Sequence, residues 1–191
     1  MAQTPNSTPL KRALIVVDIQ NDYFPGGLWV VPGIEAATEN AVRLLAAARA
    51  KGELVVHVRH EFESKDAPFF KPGSDGAQLH EKVKNLKNEH VVVKRFANSY
   101  RETDLKEVLD RHGIRQVVVC GAMTQNCIDA ITRASNDFGY DCVVIHDACA
   151  ARDLEFNGLQ VPSKYVHAAF MAALQFAYAK TITTNEHLGS V

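Results

Sequence analysis

Three residues carry groups that work together in nucleophilic catalysis: Asp18, Lys94 and Cys127. Asp18 closes the run "ALIVVD" (13–18), Lys94 closes "VVVK" (91–94), and Cys127 follows the Gly-Ala-Met-Thr stretch that begins at Gly121. A thiol attacks a carbonyl carbon only after losing its proton. A carboxylate can accept that proton and return it to a leaving group. A nearby ammonium favours both anions. If Cys127 opens a helix, the partial positive charge of the helix N-terminus favours a thiolate as well. Backbone N–H groups around Met123 and Cys127 would then meet a developing oxyanion. Each residue also has a plainer explanation. Aspartates cap turns, lysines sit solvated at strand ends, and a cysteine among Ile and Ala is ordinary core. Their placement in the fold decides between these readings.

The surrounding pattern alternates strand-like and helix-like segments. Continuous β-rich runs at 13–18, 53–58, 91–94, 115–120 and 142–146 read as strands buried on both faces, with a sixth over 180–184. Between them the spacing predicts helices over 33–52, 103–113, 124–139 and 161–179. Thr103 and Thr124 are candidate N-caps, Pro162 suits a first helical turn, and Gly52, Gly113 and Gly139 are stops. Such alternation implies an α/β fold, a three-layer sandwich with a six-stranded, mainly parallel sheet between helices. In such sheets ligands sit beyond the carboxyl ends of the strands. Asp18, Lys94 and Cys127 all fall on that edge. Residues 59–89 form the one long irregular stretch, and its "APFFKPGSDG" reads as a lid or a partner-binding element.

Composition bounds the rest. A chain of 191 residues with 47% apolar content is large enough to bury a real core in one domain, expected over 13–191 after a polar lead of residues 1–12. The formal net charge of −1 offers no electrostatic basis for binding nucleic acid or a membrane surface. The lead has no apolar core of a secretion signal, and the four cysteines include no Cys-x-x-Cys pair. A cytoplasmic protein without a disulfide framework or structural zinc is expected.

The segments "VVDIQNDYFPGG" (16–27), "VVVKRFANSYRETDL" (91–105), "GAMTQNCIDAITRASNDFGYDCVVIHDACAARDLE" (121–155) and "VHAAF" (166–170) together resemble the isochorismatase-like cysteine hydrolases, over nearly the whole chain. "DACAARDLEF" with the long "FF" loop is more like the amidohydrolase branch that contains streptothricin hydrolase-like proteins. The resemblance implies a Rossmann-like strand order and a catalytic set of Asp18, Lys94 and Cys127. It implies a cis peptide between Ala122 and Met123, with the oxyanion held by the amides of Met123 and Cys127. It implies no cofactor and favours a homo-oligomer, a dimer or tetramer, with loop 59–80 near an interface. Nicotinamidases of this family bind a metal through an Asp-x-His pair. Here "VVHVRHEFES" (55–64) supplies His57 and His60 without that pair, so no metal is expected.

The activity expected from these residues is hydrolysis of a C–N bond in a small amide, ureido or carbamoyl compound, through a thioester on Cys127. Two alternatives stay open: vinyl-ether hydrolysis of an isochorismate-like substrate, and a non-catalytic binding protein on the same fold. Phe24, Trp29, Phe69 and Phe70 are candidate pocket walls, and His60 and Asn98 candidate polar contacts. For each, packing or turn-making is the competing explanation.

Overall fold

The computed structural model describes residues 10–189. Eight strands and five α-helices follow in the order β1 (Arg12–Val17), α1 (Ile34–Ala50), β2 (Leu54–His60), β3 (His90–Lys94), α2 (Leu105–Arg111), β4 (Gln116–Ala122), α3 (Asp129–Asp137), β5 (Asp141–Ala150), β6 (Leu154–Phe156), β7 (Leu159–Val161), α4 (Ser163–Ala177), β8 (Lys180–Ile182) and α5 (Thr184–Gly189). Six strands form a wholly parallel sheet ordered β3-β2-β1-β4-β5-β8. The three-layer α/β architecture expected from the sequence is therefore the architecture observed. Most of the expected lead, residues 1–9, lies outside the described residues, and Arg12 already belongs to β1.

Alternating side chains of β1 divide the core. Leu14 and Val16 pack on one face with Leu44 and Leu45 of α1. Ala13, Ile15 and Val17 pack on the other with Leu105 and Leu109 of α2, Ile131 of α3 and Leu174 of α4. This two-residue period, buried on both sides, is why the strand reads as one apolar run. Each fully buried aliphatic side chain contributes about 1.5–3 kcal/mol.

Three local features depart from the sequence reading. The helix expected over 124–139 begins with a π-helical turn, Thr124–Ile128, before α3 takes up regular geometry. Thr124 does not cap it: its hydroxyl lies 3.2 Å from the Ala150 carbonyl and 2.9 Å from His167 Nδ1. β5 runs on to Ala150, because its pairing with β4 skips between Val119 and Gly121 and then resumes. The polar His146 and Asp147 fall in that irregularity, so the apolar run ends before the strand does. Finally, Leu154–Val161 forms an antiparallel hairpin closed by Asn157 and Gly158, both at positive φ. That is the Asn-Gly turn chemistry of tight hairpins.

Candidate active site

The sheet's order reverses between β1 and β4, and the crevice at such a switch point is where α/β proteins bind ligands. Asp18 leaves β1 on one side of the crevice; Cys127 lies in the π-helical turn after β4 on the other. Close backbone approach makes this possible. A Cβ on Gly121 would lie 1.9 Å from the Val17 carbonyl oxygen, and Gly121 has φ +127°, so only glycine lets β4 pass β1 here. The Ala122–Met123 peptide that follows is cis. Asp18 itself has φ +51°, and its N–H donates to the Val58 carbonyl at 2.9 Å, so the carboxylate turns away from the strand axis. Gln20 ties the ends of β1 and β2 together. Its side chain donates to the His60 and Ala77 carbonyls at 2.8 Å and accepts from the His60 N–H at 2.7 Å.

Lys94 comes from the sheet's edge strand, two strands away from β1, and pairs in register with His60. Its long side chain crosses the end of β2. Nζ lies 2.8 Å from Asp18 Oδ2 and donates to Cys127 Sγ at 3.0 Å. It also reaches the carbonyls of Phe96 and Ala97 and lies 3.4 Å from His60 Nδ1. Asp18, Lys94 and Cys127 are 0%, 1% and 4% exposed, so the trio is closed to bulk water.

Burial pushes the Cys127 thiol up to about 12, the Asp18 charge adds to that, and Lys94 opposes it. Desolvation and the buried carboxylate thus favour the thiol, against the thiolate that a helix terminus alone would favour. Burial also weighs against a charged Lys94, but Asp18 and Cys127 outweigh it and hold the ammonium above its ordinary range. Burial lowers His60 despite the nearby Asp18 charge, leaving a neutral imidazole at pH 7.

Donor atoms of Asp18, His60 and Cys127 lie within 4.8 Å of one another, a spacing that can hold a metal ion. The Lys94 ammonium already bridges these three groups. A metal would have to displace a buried cation that two backbone carbonyls also hold, so the donor set suits the ammonium better.

An aromatic wall flanks the trio. Phe69 and Phe70 are buried within the chain, and the Tyr23 ring meets Phe70 at 4.6 Å and Phe69 at 5.9 Å. Trp29 stacks on Phe69 at 4.7 Å, and Phe62 meets Phe69 edge-on at 5.2 Å. Phe70 lies 6.1 Å from His60, and Phe62 is closer to that ring at 4.4 Å. A cavity of about 430 Å³ lined by Phe62, Pro68, Arg95 and Phe96 opens beside this wall.

Of the other pocket candidates, Phe24 stacks on His80 at 3.8 Å, and Asn98 accepts the Tyr100 N–H to shape its own turn. Three residues that the sequence reading passed over do belong to the site's surroundings. Tyr23 packs its ring on Phe70; burial above all, with the Asp18 charge adding to it, raises its phenol well above its ordinary value. Phe62 packs on His60. Arg152 lies over the Trp29 ring at 4.0 Å, just past the true end of β5. A strand read to Ala150 would have pointed to Arg152.

Comparison with known proteins shows the family. The Isochorismatase domain model matches residues 12–186. The isochorismatase family protein YddQ of Bacillus subtilis (strain 168) is 45% identical over 179 residues, covering 94% of this chain and 99% of that protein. Maleamate amidohydrolase of Pseudomonas putida is 31% identical, covering 81% of each. Streptothricin hydrolase of Streptomyces noursei is 34% identical over 75% of this chain and 51% of its own length. A crystal structure from Oleispira antarctica, grouped with the isochorismatase hydrolases, superposes with a TM-score of 0.92 at 53% identity, covering 96% of this chain and 98% of that one. With the domain spanning nearly its full length and the fold shared throughout, this chain belongs to the isochorismatase family of hydrolases.

Proposed function

We propose that this hydrolase cleaves a C–N bond in a small amide, ureido or carbamoyl compound through a thioester on Cys127. The observation that carries the reading is one buried ammonium, Lys94, bridging a carboxylate and a thiol at the switch point. Asp18 takes the thiol proton as sulfur attacks the carbonyl carbon. Lys94 stabilises whichever partner holds the negative charge. The amides of Met123 and Cys127 receive the oxyanion. Collapse breaks the C–N bond, Asp18 returns the proton to the departing nitrogen, and ammonia or an amine leaves. Water then attacks the thioester with Asp18 as base, releasing the acid or carbamate and restoring the thiol. No step needs a metal or cofactor.

One observation supports an amide over a vinyl ether: a maleamate amidohydrolase is among the relatives. Arg152, held over Trp29, supplies a positive charge suited to a substrate that carries a carboxylate, whichever bond is cleaved. Four buried free thiols suit a reducing compartment such as the cytoplasm, and no helix among the described residues is long and apolar enough to cross a membrane. We extend the reading to a homo-oligomer. Phe176 on α4 is 89% exposed, and Phe156, Leu159 and Tyr165 are also exposed, leaving apolar surface that a second copy would cover. Light scattering tests that part.

Ammonia release from a panel of amides, ureides and carbamoyl compounds tests the chemistry. With an active substrate, Cys127→Ala should lose at least about a thousandfold in rate, and a slow substrate should leave an acyl mass on Cys127. A vinyl-ether hydrolase needs an acid more than a nucleophile. Then Asp18→Asn would be the disabling change and Cys127→Ala would keep much of the rate. A non-catalytic binding protein would show ligand binding with neither turnover nor adduct.

A further inference from the structure

We propose that Asp22 is the positioning residue of the aromatic wall and sets which acyl groups fit against Cys127, a role that rests on the amide-hydrolase reading and deepens it. Asp22 is 3% exposed. Its Oδ2 accepts the Phe70 N–H at 2.7 Å, and its Oδ1 accepts the Leu28 N–H at 3.1 Å. Its own carbonyl accepts the Trp29 N–H at 2.9 Å. One residue therefore ties the segment that carries Trp29 to the segment that carries Phe69 and Phe70.

A third segment closes over the carboxylate. A Cβ on Gly76 would lie 2.2 Å from Asp22 Oδ1, so that position has room only for hydrogen. Phe70 sits at φ +47°, a backbone region that bulky residues avoid, and the bond from its N–H to Asp22 holds it there. The rings fixed this way are the ones around the trio. Tyr23 follows Asp22 directly and packs on Phe70; Phe70 faces His60, and His60 faces Lys94. Asp22 needs no part in proton transfer to matter here. Its two oxygens each answer a backbone donor from a different loop, so the wall's position depends on both.

Only a carboxylate of this length meets both donors. Asp22→Asn keeps one acceptor and sets an NH2 group against a backbone N–H. Gly76→Ala leaves the carboxylate in place and pushes it, at a position whose backbone does not require glycine. The two variants disturb one latch in different ways.

The test compares alkylation of Cys127 by iodoacetamide and by the bulkier N-phenyl iodoacetamide, with KM, kcat and melting temperature measured alongside. The expected result is a roughly tenfold change in the ratio of the two alkylation rates and a similar rise in KM in each variant that folds, with kcat changed less. If Asp22→Asn yields no folded protein, Gly76→Ala carries the test. A melting temperature that falls while the rate ratio and KM match the wild type overturns the proposal and leaves Asp22 a purely structural tie. The alkylation ratio reads the wall whatever the natural reaction is. Failure of the amide reading, seen as Cys127→Ala turning substrate over, is therefore a separate outcome.

Discussion

Two charge clusters, one partly exposed and one buried, sit on the same sheet and are built in opposite ways. At the entrance to β3, Glu89 is saturated: Arg49 donates to both oxygens at 2.7 and 2.9 Å, and Oε2 also meets His57 Nε2 at 3.0 Å and accepts the Leu86 N–H at 2.7 Å. Beyond the carboxyl ends of the strands, Asp18 has the Lys94 ammonium on Oδ2 and no partner on Oδ1, and His60 Nε2 is also unpartnered. Unsatisfied buried polar atoms cost about 1–3 kcal/mol each. His57 Nδ1 beside Glu89 is unpartnered too, so the contrast lies in the carboxylates: both oxygens of Glu89 are filled, whereas Asp18 keeps Oδ1 open in the same cluster as the Cys127 thiol, whose proton a reaction must move.

The largest expected effect tests that contrast at Lys94. Lys94→Met should remove activity by at least about a thousandfold. It should also cost about 3–5 kcal/mol of stability, because the Asp18 charge loses its buried partner. The double variant Lys94→Met/Asp18→Asn should regain most of the stability and none of the activity. A Lys94→Met enzyme that melts and turns over like the wild type would break the comparison.

Alkylation of the resting enzyme sharpens it. With the Cys127 thiol pushed up to about 12, the iodoacetamide rate should climb about tenfold per pH unit from pH 7 to pH 9. A plateau already reached at pH 7 would mean a preformed thiolate and would remove burial as the dominant influence.

The smallest effect belongs to the saturated carboxylate. Burial alone would raise Glu89, but Arg49, the Leu86 amide and His57 outweigh it and pull the carboxyl down to about 2. A lowered carboxylate adds stability that is complete above its ordinary value near 4.5 and drains away as pH falls towards 2. Glu89→Gln should lose about 2 kcal/mol at neutral pH, flatten the melting-temperature profile below pH 4.5, and leave kcat and KM alone. Melting curves across that range decide it; an unchanged acid profile would mean that Glu89 does not carry this linkage.

Much of the fold was legible because its strands are buried on both faces and so read as unbroken apolar runs. The helix stops were legible too, since Gly52, Gly113 and Gly139 each take the positive φ that ends a helix. The hairpin over Leu154–Val161 has a local signal in the Asn-Gly pair of "EFNGLQV", but its strands are only three residues long and largely exposed, so they carry no buried apolar run. The end of β5 was hidden for a different reason. Polar His146 and Asp147 interrupt its apolar run, and Asp147 is occupied in accepting the Thr184 N–H and hydroxyl.

By itself the sequence determined the alternation of strands and helices and the types of the three reactive groups, because both follow from local pattern and from which residue ends each run. Tertiary structure decided how those groups act. Lys94 reaches Asp18 and Cys127 only because β3 lies two strands from β1, and Tyr23 meets Phe70 because Asp22, the residue before it, accepts the Phe70 N–H. The charge on Cys127 was likewise undecided by its position after β4. A helix start argues for thiolate, whereas complete burial beside an aspartate argues for thiol, and desolvation, which depends on every segment packed around the sulfur, prevails.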